Sequence, residues 1–309
     1  MPPARHNPGA PVPEIRTPLA GLAAAFGAFL AWGLLPMYWK ALDMVPPLEL
    51  LCHRITWSML FSGAVVVAAG RVGEVRAALA EGRNRLLLCA SSMLIAGNWF
   101  VFIWSVHNGH VVESSLGYYI NPLVNVVLGC VFLRDRLRRV QWVAIGLAVA
   151  GVGNLVVAHG RFPWIALTLA LSFGCYGLVR KVMRVESLTG LFVETSVLGL
   201  PAAGYLLYLG VQGSGALFRH GGGVDAMLLG AGVVTSMPLI GFAYGARRLR
   251  LVTVGVLQYI SPTCMFLLGI FAYHEPFTRA HLVTFLCIWA GVAVYLAESI
   301  AHFRGAMRR

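Results

Sequence analysis

The chain has 309 residues, of which 58% are hydrophobic and only 12% are charged. A soluble domain has about 25% charged residues, so this composition excludes an ordinary water-soluble protein. The formal net charge is +12. The cations occupy short segments between long apolar stretches, an arrangement that does not favour nucleic-acid binding. The composition therefore indicates a protein that lies in a lipid bilayer.

Ten apolar stretches of about 20 residues follow one another along the chain, and each is long enough to cross a bilayer as a helix. The first is too long for the core of a signal peptide, so we interpret it as a membrane span. Residues 1–17 and 303–309 are left as tails, and there is no room for a soluble catalytic domain. The predicted fold is an all-α integral membrane protein with spans near 18–42, 47–70, 85–107, 113–133, 140–159, 163–183, 188–209, 224–246, 252–273 and 280–302.

Basic residues are distributed unevenly between the two sides of these spans. If both ends of the chain lie in the cytoplasm, 19 Lys and Arg residues fall on the cytoplasmic side, four fall on the other side, and Arg54 lies inside a span. Short cytoplasmic loops of membrane proteins carry such an excess. The pattern predicts a multi-pass protein with both termini, and therefore both tails, in the cytoplasm.

The two halves of the chain resemble each other. Segment 119–152 recurs without a gap 140 positions later: Tyr-Ile-Asn-Pro at 119–122 is answered by Tyr-Ile-Ser-Pro at 259–262, and Asp135 by Glu275. Internal repeats in a chain with many spans favour a transporter. The predicted halves are 18–159 and 163–302.

Each half contains five spans, and an odd number gives the two halves opposite orientations in the membrane. Inverted halves can exchange conformations, so that a central site opens first to one side and then to the other. The chain has no GxxxxGK[ST] motif for ATP hydrolysis and no ring of pore-lining groups. This pattern favours a transporter over a channel. Ten spans can form a complete pathway, so a monomer suffices, and a dimer is also compatible with the sequence.

Several motifs are more specific than shared hydrophobicity. They are His53-Arg54-Ile55-Thr56-Trp57-Ser58, Gly97-Asn98-Trp99 and Glu113-Ser114-Ser115-Leu116-Gly117-Tyr118-Tyr119-Ile120-Asn121-Pro122-Leu123, followed in the second half by Tyr176-Gly177-Leu178-Val179-Arg180-Lys181, Glu194-Thr195 and Gln258-Tyr259-Ile260-Ser261-Pro262-Thr263. Together they resemble the RarD-type branch of the EamA transporters, in the drug/metabolite transporter superfamily, over most of the chain. The resemblance implies two inverted five-helix repeats, the bacterial inner membrane, and secondary transport of a small organic metabolite or drug. Export is the direction expected by this analogy.

Polar residues in apolar helices are the candidates for function, because an unpaired charge near mid-membrane is costly. Arg54 lies about seven residues into the second span, roughly 10 Å below its outer end. Its guanidinium could clamp an anionic substrate group such as a carboxylate. Alternatively, it could form a structural ion pair with Glu49 or another acid.

Three ionisable side chains are candidates for proton coupling. Glu194 is the first, because it lies about six residues into the seventh span, where a carboxyl can take up and release a proton. Its alternative role is to partner a basic residue. Glu49 and His53, one turn apart on the second span, are the other two.

Pro122 and Pro262 fall near the middle of the fourth and ninth spans, at equivalent positions of the two halves. Each lacks an amide donor and clashes with the carbonyl four residues earlier, so each predicts a helix kink. Interrupted helices at matching positions indicate a binding site at the midplane, although a kink can also serve packing alone. The predicted substrate contacts are Arg54, Asn98, Trp99, Tyr119, Asn121, Asn125, Tyr259 and Ser261.

Other chemistries lack their motifs. His274-Glu275 begins a zinc-protease pattern, but Thr278 stands where the second histidine belongs, and the six cysteines lie singly in apolar spans. We therefore expect no metal and no cofactor, and the expected partners are a small-molecule substrate and the lipid bilayer. Two alternatives remain: a flippase for lipids or lipid-linked substrates, which needs a lateral apolar opening, and an intramembrane enzyme that uses Glu49, His53 and Glu194.

Overall fold

The computed structural model describes residues 19–133, 139–159, 162–183, 185–249 and 251–307. Within these ranges the regular structure is helical, and ten segments are long and apolar enough to cross a membrane. This confirms the predicted all-α fold with ten spans. The helices are α1 (Leu19–Lys40), α2 (Pro47–Ala68), α3 (Val72–Ala80), α4 (Gly82–His107), α5 (Val111–Leu133), α6 (Arg139–His159), α7 (Trp164–Val182), α8 (Ser187–Val211), α9 (Gly222–Ala246), α10 (Leu251–Leu257), α11 (Ile260–Leu267) and α12 (Arg279–Met307), with a π-helical turn (Leu268–Ala272) that completes the ninth span after α11.

Two elements differ from the sequence-based expectation. The loop predicted after the second span contains α3, whose Ala78 packs with Leu88 and Met183 in a small apolar cluster. Helix α12 continues to Met307, beyond the predicted end at 302. We call the end of the bundle at which α1 begins and α12 ends the terminal face, and the other end the opposite face.

Helices of one half pack mainly against helices of the other half. Helix α2 packs against α8 and α9, α1 against α9 and α11, α7 against α4 and α5, and α6 against α12. Two large apolar clusters result. One surrounds Trp39 and Ile103 among α1, α2, α4, α7 and α9, and the other surrounds Phe285 and Ile288 among α5, α6 and α12.

Glycines at equivalent positions of the two halves make reciprocal close contacts. A Cβ on Gly151 of α6 would lie 3.0 Å from the Cβ of Cys287 on α12, and one on Gly291 of α12 would lie 3.4 Å from the Cβ of Leu147 on α6. Both glycines and both contact residues are related by the same shift of 140 positions. Close approach at small residues is a common way for membrane helices to associate. These reciprocal contacts are those expected of two halves related by a twofold axis.

The same relation holds on the other side of the bundle. A Cβ on Gly33 of α1 would lie 2.7 Å from the Cβ of Cys264 on α11, and one on Gly174 of α7 would lie 2.9 Å from Val124 on α5. Val124 and Cys264 are again 140 positions apart. Glycine therefore lets α1 and α7 approach the two helices that carry the repeated prolines.

Glu275, the acid that follows the ninth span, binds the N-terminus of α5. Both carboxylate oxygens of Glu275 accept hydrogen bonds, one from the amide of Val111 and one from that of Val112, each at 2.7 Å. A carboxylate at a helix N-terminus satisfies free amides and complements the helix dipole. Its predicted counterpart Asp135 lies outside the described residues.

We expect Gly291→Ala to lower the free energy of unfolding by about 1–3 kcal/mol, the usual effect of overpacking. The added Cβ would lie 2.8 Å from the carbonyl oxygen of Ala144, which belongs to the backbone of α6 and cannot move alone. Gly153→Ala on α6 is the matched control, because nothing lies within 4 Å of its added Cβ. Thermal unfolding of both variants in detergent tests the contact, and an equal loss of stability in both would contradict it.

Candidate functional site

Arg54 lies inside the bundle on α2. Its side chain is buried, with 4% of the residue exposed, and its guanidinium carbon lies 4.0 Å from the ring centre of Trp99 on α4 and 5.1 Å from that of Trp39 on α1. Guanidinium groups stack favourably on indole rings, and the interaction strengthens when both groups are shielded from water. Three helices from the first half therefore position this cation.

Arg54 has no acidic partner among the described residues. Glu49, one turn earlier on α2, accepts a hydrogen bond from the amide of Ala216 at 2.5 Å and lies 3.9 Å from Nε2 of His53. The other ring nitrogen of His53 is bonded to the indole nitrogen of Trp57 at 3.1 Å. Nε and Nη1 of Arg54 are buried without a hydrogen-bond partner in the described part of the chain.

Asn98 and Tyr118 form a polar bridge next to this cation. The amide nitrogen of Asn98 donates to the carbonyl of Leu169 at 3.0 Å and to the hydroxyl of Ser172 at 2.9 Å, so Asn98 ties α4 to α7. The hydroxyl of Tyr118 donates to the amide oxygen of Asn98 at 3.3 Å. Asn98 therefore joins α4 to both α5 and α7, and its partner Tyr118 was not among the predicted contact residues.

Polar and aromatic side chains line the facing sides of α5 and α7. On α5, Tyr118, Asn121 and Asn125 follow at spacings of three and four residues, which places them on one helical face. The ring of Tyr118 on α5 and the rings of Phe173 and Tyr176 on α7 form a row. The ring centres of Tyr118 and Phe173 lie 6.3 Å apart, and those of Phe173 and Tyr176 lie 5.9 Å apart. The amide oxygen of Asn121 is buried without a partner among the described residues, whereas Asn125 is exposed. We use the name chamber for a set of side chains: this face of α5 and α7, with Arg54 and Trp99 at one end and Glu194 of α8 at the other.

Glu194 lies at the far end of this aromatic row. It is 2% exposed on α8 and accepts hydrogen bonds from Ser91 at 2.7 Å and from Tyr176 at 3.1 Å. Nη1 of Arg180 lies 3.5 Å from the Glu194 carboxylate, and the guanidinium rests directly against Gly190, where any side chain would collide with it. Arg180 is therefore the basic partner of Glu194; from the sequence it was interpreted mainly as one of the cytoplasmic cations.

Arg54 and Glu194 occupy equivalent positions. Each is the eighth residue of its helix, α2 or α8, the two are 140 positions apart, and the two helices pack against each other. Their neighbours correspond as well, because Trp39 beside Arg54 and Arg180 beside Glu194 are 141 positions apart. The chamber thus has one buried charged residue from each half, a cation towards the opposite face and an acid towards the terminal face.

Other predicted contacts lie elsewhere. Tyr119 bonds to Thr263 at 2.7 Å and packs with Tyr259 and Trp289 in the apolar cluster around α12, and Ser261 donates to the carbonyl of Phe29 at 2.6 Å. These three predicted contact residues join helices, and the structure does not bring them to Arg54.

The two repeated prolines have different surroundings. The ninth span is interrupted at 258–259, between α10 and α11 and just before Pro262, whereas α5 runs through Pro122 without a break. The residue four positions before Pro262 is Gln258, at which the interruption begins.

A separate cavity of about 280 Å³ lies at the terminal face between α8 and α9. Glu186 at its rim pairs with Arg71 and Arg247, and the guanidinium of Arg248 lies 3.7 Å from the ring centre of Tyr244. Its walls also include Ser187, Leu188, Leu239, Ile240 and Ala243. No cluster of metal-binding side chains occurs in the ranges that the structure describes.

The model of the EamA-like transporter family matches residues 19–157 and 163–297. The chain belongs to this family. It is 46% identical to "Uncharacterized transporter YojE" of Bacillus subtilis over 90% of this chain and 94% of that protein. It is also 41% identical to "Protein RarD" of Streptomyces exfoliatus, over 94% and 92% of the two chains, and 41% identical to "Protein RarD" of Escherichia coli, over 91% and 95%.

These EamA relatives confirm the predicted resemblance to RarD-type transporters, and their names point to a transporter rather than an enzyme. One solved crystal structure superposes on 89% of this chain and 96% of its own chain with a TM-score of 0.57 at 20% identity, which supports the fold alone. With ten apolar helices and bacterial transporter relatives, this is a multi-pass bacterial membrane protein of a transporter family.

Proposed function

We propose that this EamA protein is a secondary transporter that moves a small organic metabolite or drug across the bacterial inner membrane by alternating access. Substrate binds in the chamber, where Arg54 contacts an anionic group and Trp99 and Asn121 line the site. Export is the proposed direction. The observation that carries the proposal is a buried, unpaired Arg54 within two reciprocally packed halves, because such a charge inside a bilayer protein marks a substrate pathway.

Proton coupling belongs to the same proposal. Glu194 is a buried acid that faces the chamber from the second half, and its partners Ser91, Tyr176 and Arg180 come from two other helices. Protonation would weaken its attraction to Arg180 and so loosen the contact between α8 and α7. Glu49 and His53 are the other candidates, although each already has a partner near the opposite face.

Reconstituted liposomes test the transport proposal. Uptake of labelled amino acids, small carboxylates and cationic drugs is followed with and without an imposed pH gradient, using empty liposomes as the control. We expect saturable uptake of one class of solute, accelerated by the gradient. If no solute in the panel moves while a fluorescent lipid is scrambled between the leaflets, the transport proposal is wrong.

A lipid flippase is the second candidate, and the terminal-face cavity favours it. Arginines and the apolar side chains of Leu239 and Ile240 line this cavity together, a combination that suits a lipid headgroup and its chains. In the same liposomes, Ile240→Trp should fill the cavity and stop lipid scrambling if the flippase proposal holds. A transporter that uses the chamber should keep its solute uptake in this variant.

The predicted orientation can be tested separately. We expect a fluorescent protein fused after the last residue to fluoresce in intact cells, because the positive-inside pattern places the C-terminus in the cytoplasm. A fusion of alkaline phosphatase, which is active only outside the cytoplasm, should be inactive at the same position. An active phosphatase at this position would contradict the predicted cytoplasmic C-terminus.

A further inference from the structure

We propose that the Arg54 site binds the carboxylate of a small monoanionic organic acid with an apolar body. This inference rests on the proposed function, since it names the substrate class of the same chamber. It is carried by three observations: unpaired buried donors at one place, an acid nearby that already has partners, and apolar rings around the cation.

The first observation is a set of donors that lack an acceptor. Nε and Nη1 of Arg54 and Nε1 of Trp39 are all buried, and none has a hydrogen-bond partner in the described ranges. Guanidinium and indole nitrogens can only donate, so a ligand that satisfies them must bring acceptor atoms. Buried polar groups are nearly always paired in folded proteins, so three such donors indicate a missing partner. A carboxylate supplies two charged oxygens and suits the planar guanidinium.

The second observation limits the charge of the ligand to one. The guanidinium is always protonated and carries a single positive charge. Glu49, earlier on α2, is itself buried and bonded to the amide of Ala216, so it supplies no cation to hold a second negative charge. The next cation along the chain, Lys40, is bonded to the carbonyl of His107 at 3.2 Å and lies 3.9 Å from Asp43. A monocarboxylate therefore fits this site better than a phosphate dianion or a dicarboxylate.

The third observation concerns the rest of the ligand. Trp99 and Trp39 lie against the guanidinium, and Tyr118 and Phe173 continue the wall of the chamber towards Tyr176. Aromatic rings offer large apolar areas and few hydrogen-bonding groups for a heavily hydroxylated ligand. The body of the ligand is therefore apolar.

Binding to the purified full-length protein in detergent tests this inference directly. The probes are two acid–amide pairs, isovalerate with isovaleramide and benzoate with benzamide, which differ mainly in charge. We expect each acid to raise the melting temperature by several degrees in a concentration-dependent way, because a ligand that binds only the folded state stabilises it. The amides, and sodium chloride at equal ionic strength, should have no such effect.

Variants locate the binding site. Arg54→Gln should abolish stabilisation by the acids, and Arg54→Lys should reduce it, since lysine keeps the charge but loses the planar fork. Arg76→Gln, the same change at an exposed arginine on α3, is the matched control and should behave as wild type. If Arg54→Gln does not fold, Arg54→Lys and Trp39→Phe decide, and both should weaken the effect of the acids.

Two outcomes overturn the inference: amides that stabilise as well as acids, or acids that stabilise the Arg54 variants as fully as wild type. The proposed function fails in a different way. If acids bind but are never transported in liposomes, the carboxylate site is supported and the transport proposal is contradicted. If neutral solutes are taken up at a rate that Arg54→Lys does not change, the transport proposal is supported and the carboxylate site is contradicted.

Discussion

Glu194→Gln should abolish the pH dependence of transport. Glutamine cannot exchange a proton, yet it has nearly the shape of glutamate. Its amide oxygen can accept a hydrogen bond from one of the two hydroxyls of Ser91 and Tyr176, and its amide nitrogen can donate to the other. Initial uptake rates in liposomes, measured across a range of external pH, should rise and fall for wild type and stay flat for the variant. Glu49→Gln and His53→Gln are the comparison variants, because both alter buried ionisable groups on α2, and we expect each to retain pH dependence.

The same substitution removes the counter-ion of Arg180. Losing one member of a buried ion pair typically costs about 3–5 kcal/mol, because the remaining charge stays buried without compensation. The double variant Glu194→Gln, Arg180→Gln should recover much of that stability. If the double variant is stable and its transport still depends on pH, Glu194 has a structural role and coupling lies elsewhere. A flat pH profile in both the single and the double variant supports coupling through Glu194.

Gly190→Ala gives an independent test of the pair. The added methyl would collide with the Arg180 guanidinium, which lies at the end of a flexible side chain and can swing away from Glu194. We therefore expect the variant to fold but to behave as if the pair were broken, with a lower melting temperature and altered pH dependence. Gly204→Ala on the same helix, with no atom within 4 Å of its added Cβ, should behave as wild type.

The architecture could be predicted from the sequence because its signals are one-dimensional. Apolar runs predict the ten spans, and a constant shift of 140 positions predicts two halves. Helix α3 escaped prediction because nine residues with a weak apolar pattern look like a polar loop. The reciprocal glycine contacts could not be predicted either, since a shift along the chain does not specify which helices pack together.

The predicted contact residues are only partly grouped in the structure, for a physical reason. Arg54 and Trp99 lie together, whereas Tyr119 lies in the apolar cluster around α12 and its neighbour Tyr118 faces Phe173 on α7. Successive residues on a helix point about 100° apart, so neighbouring positions reach different sides of the helix. Sequence spacing did offer a signal, because Tyr118, Asn121 and Asn125 share one face.

The interaction partners of the charged residues were harder to predict from the sequence than their positions in the helices. Arg180 counts towards the charge asymmetry, and nothing local to it indicates that it reaches a carboxylate on the next helix. The equivalence of Arg54 and Glu194 is present in the shift of 140, but their opposite charges conceal it. Two repeats that keep a position and reverse its charge place different charged groups near the two faces of the bundle.

Pro262→Ala should slow turnover by about tenfold, which corresponds to about 1.4 kcal/mol on the rate-limiting conformational step. Alanine restores an amide that can donate to the carbonyl of Gln258, so α10 and α11 can join into one straight helix across the interruption at 258–259. Pro122→Ala should have a smaller effect, since α5 already runs through this position. Uptake rates normalised to the amount of folded, monodisperse protein separate turnover from stability.

The control for these prolines is Pro201→Ala in α8, an exposed proline inside a helix and outside the repeated motif. If Pro262→Ala and Pro122→Ala both lose folded protein, the prolines serve packing. If both fold and slow transport equally, the two halves bend alike during the cycle, and the interruption in the ninth span belongs to one conformation of the carrier. A larger effect at Pro262 means that the ninth span is the hinge, because it joins α11, which packs on α1 and α5, to α10, which packs on α1 and α12.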